Sequence, residues 1–443
     1  MNFEIVKGRT TLKRMGTKGI GAVAAALMVA GLFYAVTPAS ASSKITLTLE
    51  QNYGTEQNAV ATKALIKAFE ALHPNITIND VAEPGTNYFQ QLQSDAISGN
   101  GPDLAVMWTG IYDLQYSSLL VNLKGNVPAA DLAKMEGLQW EAPDFNTSLG
   151  EYVMPLETQF YIGFYNKALF KKAGITSVPT DWTQLFADCK LLKAKGIEPL
   201  VYGNGGQAIS TEFYPWYDMS YLMIGAHPLA TWKNLYDGVT PWTSSANKAQ
   251  LTKWAELEKD GYTNSGILTT TDNITAFEKG KAAMLVDGTW DTAQYTGAMG
   301  NNVAAFVPPY SNTPIKGVVE YPGDGFSVMK WSKHKKQAFE FLDFLTTTQA
   351  GNIINKAGLI PDIKGLKTTN PVNQEMLNFV TVDHMTPYPM MDNYVQVNVG
   401  NAADKVLPAV LANQESPSAA LENMAQAWQQ LPAAQRSKSD FAG

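Results

Sequence analysis

The chain has 443 residues, of which 45% are hydrophobic, with a formal net charge of −7, 10 Trp, 19 Tyr, 18 Phe and one Cys. The acidic balance argues against nucleic acid or anionic lipid as a partner. A single Cys excludes a disulfide framework and a thiolate metal cluster.

The first 41 residues read as a signal peptide. Lys7, Arg9, Lys13, Arg14 and Lys18 form a basic leader, Ile20 to Val36 is apolar or small, and Ala39-Ser40-Ala41 is an A-x-A cleavage pattern. With no Cys near the cut for lipid attachment, the expected product is exported across the cytoplasmic membrane as a free, periplasmic protein. It keeps 402 residues, enough for two cores, with 28 basic and 39 acidic side chains. Arg436 is its only Arg. Because Arg is the usual bidentate clamp for carboxylate and phosphate, such a chain is poorly equipped to select an anion.

KITLTLE (44–50) alternates as a strand does. A helix is expected from about Asn58 to Leu72, with Val60, Ala64 and Phe69 near one face, stopped at His73-Pro74. ITINDVA (76–82) reads as a second strand, about Asn87 to Ile97 as a second helix, and GNGPDLAVMW (99–108) as a turn into a third strand. Strands alternating with helices at this spacing imply a parallel sheet with right-handed crossovers, whose ligands sit beyond the carboxyl ends of the strands. Those ends are Gln51–Tyr53, Ala82–Gly85 and Trp108–Gly110.

Residues 152–175 read as extended segments leading into a helix. The 179–200 stretch reads as a helix capped by Thr180 or Asp181 and ended at Gly196, with Cys189 on its buried face. The aromatic 204–242 region reads as irregular, and 416–428 as a helix with Ser416 as cap and Pro417 in its first turn. In FEKGKAAMLVDGTWD (277–291) the GK pair is no phosphate loop: Ala282 follows Lys281, and no Gly stands upstream where the loop needs one. Phe277 and the 281–286 run read as core, and Asp287-Gly288 as a turn.

The motifs of common catalysis are missing: no H-E-x-x-H joins the four His, and there is no G-x-S-x-G or G-x-G-x-x-G. His73, 227, 334 and 384 read as surface or capping residues. A glycosidase carboxylate pair has no fixed spacing, so a secreted glycoside hydrolase stands as the alternative reading.

Several stretches, taken in order, resemble the extracellular solute-binding proteins of ABC importers, in the family 1 sugar-binding branch that includes maltose-binding protein. They are FEALHPNITI, SGNGPDLAVMW, GFYNKALFKKAGI, PTDWTQLFADCKLLKAKGIEPL, FEKGKAAMLVDGTWD and WSKHKKQAFEFLDFLTTTQAGN. The resemblance implies an α/β fold of two lobes, each a mostly parallel sheet flanked by helices, closing like a hinge on a sugar. The expected N-terminal lobe is 42–154 with 310–358, and the C-terminal lobe 155–309 with 359–443. Crossings are expected near Met154–Glu157, after Val307–Tyr310, and near Gly358–Pro361. It further implies a non-enzymatic, monomeric receptor without a cofactor that hands a neutral carbohydrate to membrane permease subunits and their cytoplasmic ATPase. By family position the ligand would meet Asn52, Tyr53, Trp108, Thr109, Glu157, Tyr214, Trp216, Asp287, Gly323 and Asp324, with Trp290 stacked on a pyranose ring.

Overall fold

A computed structural model describes residues 44–54, 56–83, 88–138, 151–204 and 215–436. The expected leader and Tyr214 lie outside them. Two sheets organise the described chain. In the first, β1 (Ile45–Gln51) pairs in parallel with β2 (Ile76–Ala82) and β3 (Leu104–Trp108), and β10 (Asp324–Val328) runs antiparallel to β3 and to β4 (Met154–Pro155). Leu47 and Leu49 alternate inward and are fully buried, as the sequence alternation predicts.

The helix Gln57–Leu72 crosses from β1 to β2, and its C-terminal cap is His73, ahead of Pro74. Its buried stripe is Asn58, Ala61, Thr62, Leu65 and Phe69, one position round from the expected face, while Val60 is 50% exposed. The stripe rotates because Leu65 and Phe69 carry the larger apolar surface and Asn58 turns inward to bond Glu157. Tyr88–Ser98 is the second helix.

In the second sheet β5 (Gln159–Asn166) is central. On one edge it pairs antiparallel with β9 (Gly317–Tyr321) and β8 (Val303–Phe306), and on the other with β7 (Ala282–Gly288). Parallel pairing is confined to β11 (Thr386–Tyr388) on β9 and β6 (Glu198–Leu200) on β7. This sheet is therefore mixed rather than mostly parallel, because β5 enters from the first lobe against strands that run back toward it.

The helix Trp182–Ala194 is capped by Asp181, which accepts from the Gln184 amide, and Cys189 is fully buried on it. Pro417–Gln429 starts behind the Ser416 cap. Within the stretch expected to be irregular, Trp216–Ala226 is a helix, buried from Trp216 through Met223. Burial on every side removes the apolar–polar alternation by which a helix is read. His73, His227 and His334 all sit at helix ends, and His227 is buried as well, its Nε2 2.5 Å from the Asn247 amide oxygen.

Three segments pass between the sheets side by side. Leu156 donates to the Asp324 carbonyl at 3.0 Å, Thr158 to the Ile360 carbonyl at 2.9 Å, and Gln159 pairs with Tyr321. Leu156 and Leu359 lie in the core of the first lobe, Phe160 and Ile360 in that of the second. The return passage falls at Pro322–Gly323 rather than after Tyr310, since β9 belongs to the second sheet. Pattern could not place it: β9 and β10 read alike as short apolar strands, and only pairing assigns them.

Candidate ligand-binding site

Where the ends of β1 and β3 face the second lobe, a pocket of about 560 Å³, its open mouth included, lies between the lobes. Asn52, Tyr53, Glu56, Asn58, Trp108 and Asp324 line it from the first lobe, and Tyr161, Tyr217, Trp290, Met390, Asp392 and Asn393 from the second, with Gln159 and Gly323 on the passing segments.

Of the residues expected by family position, the pocket brings together Asn52, Tyr53, Trp108, Trp290, Gly323 and Asp324. Thr109 stands behind it, fully buried, its hydroxyl donating to the Pro322 carbonyl at 2.6 Å and so holding the Gly323 turn. Glu157 is also one layer back, with Oε1 accepting from Asn58 at 2.7 Å and from Gln159 at 3.1 Å. Asp287 accepts from its neighbour Gly288 N–H at 2.8 Å and from the Tyr295 hydroxyl, beneath the second wall. Trp216 is elsewhere: fully buried in the core of the second lobe, its indole N–H donating to Asp404 at 2.9 Å.

Trp290 follows β7 in a single 3-10 turn, Thr289–Asp291. Its ring lies against Gly288, where a Cβ would come 2.1 Å from the indole, so the strand end must be glycine for the ring to fold back. Tyr161 meets it edge-on and Tyr217 at a tilt, each with ring centroids 6.0 Å away. Partly buried, Trp290 packs on the cores of both lobes.

Among the described residues the pocket is lined by three carboxylates and by no Lys, Arg or His. Asp392 accepts from the Tyr161 hydroxyl through both oxygens at 3.0 Å. Asp324 is different: its Oδ1 is buried without a hydrogen-bond partner. Burial pushes its pKa up to about 7, with Tyr53 and Gln159 close enough to offset part of that. Burial and the nearby Asp324 together raise Glu157 well above the carboxylate range. The Asn52 amide oxygen and Tyr53 hydroxyl on the same wall are likewise buried and unpaired. Among the described residues no group of acidic, His or Cys side chains is arranged to hold a metal ion.

The lobes also touch directly. Asn393 donates to the carbonyls of Gly323 at 2.9 Å and Thr109 at 3.3 Å. Gly110 makes this approach possible, being at φ +73 with a Cβ position 2.1 Å from the Asn393 carbonyl oxygen.

Sequence reasoning missed Glu56, Asn58, Gln159, Tyr161, Tyr217, Met390, Asp392 and Asn393. Two left a signal: Asn58 is a polar residue on a buried helix stripe, and Gln159 heads an otherwise apolar strand. Asp392 and Asn393, in the short helix Met391–Tyr394, had none, because only the fold carries that segment to the ends of β1 and β3.

Two α/β lobes joined by three passing segments, with a pocket of rings and hydrogen-bonding groups between them, define a two-lobed ligand-binding protein. The family model for bacterial extracellular solute-binding proteins matches residues 53–352, and the chain belongs to that family. A binding protein of Brucella abortus (strain 2308) is 28% identical over 286 residues, which is 63% of this chain and 66% of the relative, a little under two thirds of its length. The maltodextrin-binding protein MdxE of Bacillus subtilis (strain 168) is 27% identical over 348 residues, 74% of this chain and 76% of the relative. Among solved structures, a chitin oligosaccharide binding protein superposes with a TM-score of 0.75 at 20% identity, over 86% of this chain and 98% of that one. At that identity the likeness is one of fold.

Proposed function

We propose that this protein is an exported, monomeric receptor that captures a neutral sugar or oligosaccharide between its lobes and delivers it to an ABC-type permease. The observation that carries the reading is the pairing, in one pocket, of the Trp290–Tyr161–Tyr217 ring group with an opposite wall of unpaired hydrogen-bonding atoms. A flat apolar face suits the C–H face of a pyranose, and the polar wall suits its hydroxyls. The names of the maltodextrin-binding relative and of the chitin oligosaccharide binding protein support the sugar class. The lining supports exclusion of anions, since it offers carboxylates and no cation.

Thermal-shift measurement against a panel of neutral mono- and oligosaccharides tests the reading. At least one should stabilise the protein by mass action. Stabilisation by anionic ligands alone would reject neutrality. The same panel assayed for cleavage products should show none, and release of product would favour the hydrolase alternative.

A further inference from the structure

The pocket holds an imbalance that a neutral sugar does not resolve. Glu56, Asp324 and Asp392 line it, Glu157, Asp287 and Asp291 stand behind it, and no basic side chain is among the lining residues. Glu56 lines the pocket from the first lobe, near enough to act on Tyr53 and Glu157 on that side and on Tyr217 and Asp291 on the other. The N-terminal end of the helix Gln57–Leu72 contributes partial positive charge there. Three of the inner carboxylates have donors, namely Tyr161 for Asp392, Asn58 and Gln159 for Glu157, and Tyr295 for Asp287. Asp324, 7% exposed, lines the pocket itself and keeps Oδ1 unpartnered although Tyr53 and Gln159 stand close to its carboxyl, with the unpaired Asn52 amide oxygen on the same wall. Glu157 Oε2 and Asp291 Oδ2 are unpaired too, but lie behind the lining.

A buried carboxylate is costly unless it meets a cation or several donors. A sugar hydroxyl brings one donor and no charge, whereas an ammonium brings three donors and the opposite charge. We infer that the pocket favours an amine-bearing sugar over the same sugar with a hydroxyl in that place, the ammonium seated on Asp324 within reach of Asn52 and Tyr53. This rests on the sugar-receptor reading and sharpens it: neutral sugars enter, and a basic nitrogen strengthens the hold.

Matched pairs test it: glucose with glucosamine, galactose with galactosamine, and the corresponding β-linked dimers, titrated calorimetrically at one pH near 7. Bonds to a charged partner exceed neutral ones enough that the amine should bind about tenfold more tightly in the pair that fits. In Asp324→Asn that ratio should fall to about one, by loss of the charge on this wall. Equal or weaker binding of every amine, alongside measurable binding of its hydroxyl partner, overturns the inference and leaves the sugar-receptor reading standing. A ratio unchanged in Asp324→Asn removes Asp324 as the ammonium's seat and overturns the assignment. If no sugar of either kind binds, the sugar reading fails and this inference fails with it.

Discussion

The two walls of the pocket are built on opposite plans. The wall of the second lobe is complete within itself: Tyr161, Tyr217 and Trp290 pack on one another, and the Tyr161 hydroxyl donates to Asp392. The wall of the first lobe is not, because Asn52, Tyr53 and Asp324 at its strand ends each keep an unpaired buried atom. An apolar platform can be complete before a ligand arrives, since ring faces need no partner of fixed direction. Hydrogen-bonding atoms cannot, and a buried orphan costs free energy until something meets it. On this division the second wall supplies area and the first supplies orientation and chemical choice.

The sharpest way to test that division is to remove a Trp that belongs to neither wall. Trp216→Ala empties a fully buried site and removes the indole bond to Asp404, so unfolding in urea should show a loss on the order of 3 to 5 kcal/mol. Affinity of the molecules still folded should change little. A large affinity loss with intact stability would instead bring Trp216 into the site.

On the polar wall, the strain should be visible as pH dependence. Asp324 ionises near 3.8 when unfolded and at about 7 in the fold, so folding favours its protonated form. Its contribution is present in full below about 4 and is lost as pH rises through about 7. Urea midpoints should therefore fall across that window, with a loss on the order of a few kcal/mol from this group. Asp324→Asn should flatten part of the slope. An unchanged slope would mean that water already reaches the carboxyl.

On the aromatic wall, Trp290→Ala should cost about 1 to 3 kcal/mol of ligand affinity, roughly 5- to 150-fold in Kd. Stability should fall less than in Trp216→Ala, because the ring is only partly buried. The reverse order of stability losses would make Trp290 a core residue and break the comparison of the walls.

The smallest effect belongs to the contact that joins them. Asn393→Ala removes the bonds to Gly323 and Thr109 and should cost about 0.5 to 1.5 kcal/mol. If that contact also holds the lobes together, X-ray scattering should give the variant a larger radius of gyration without ligand, and the native radius once a binding sugar is added.

How much was legible follows the range of the interactions. β2 at Ile76–Ala82 and the Ser416-capped helix from Pro417 to Gln429 are set by alternation, capping and Pro placement over a few residues, and the sequence alone determined them. The strand-end rule likewise located Asn52, Tyr53 and Trp108, since beyond a parallel strand the chain must turn outward. Trp216 and Trp290 show the limit. Each stands among other aromatics in sequence, yet one fills the core and the other lines the pocket. Only tertiary structure decided between them, because burial depends on which distant elements pack on a side chain. The same holds for Asp392 and Asn393, which reach the ends of β1 and β3 only after the chain has crossed three times between the lobes. Contacts between residues so far apart in the chain are set by how whole sheets and helices pack, and no local pattern encodes that.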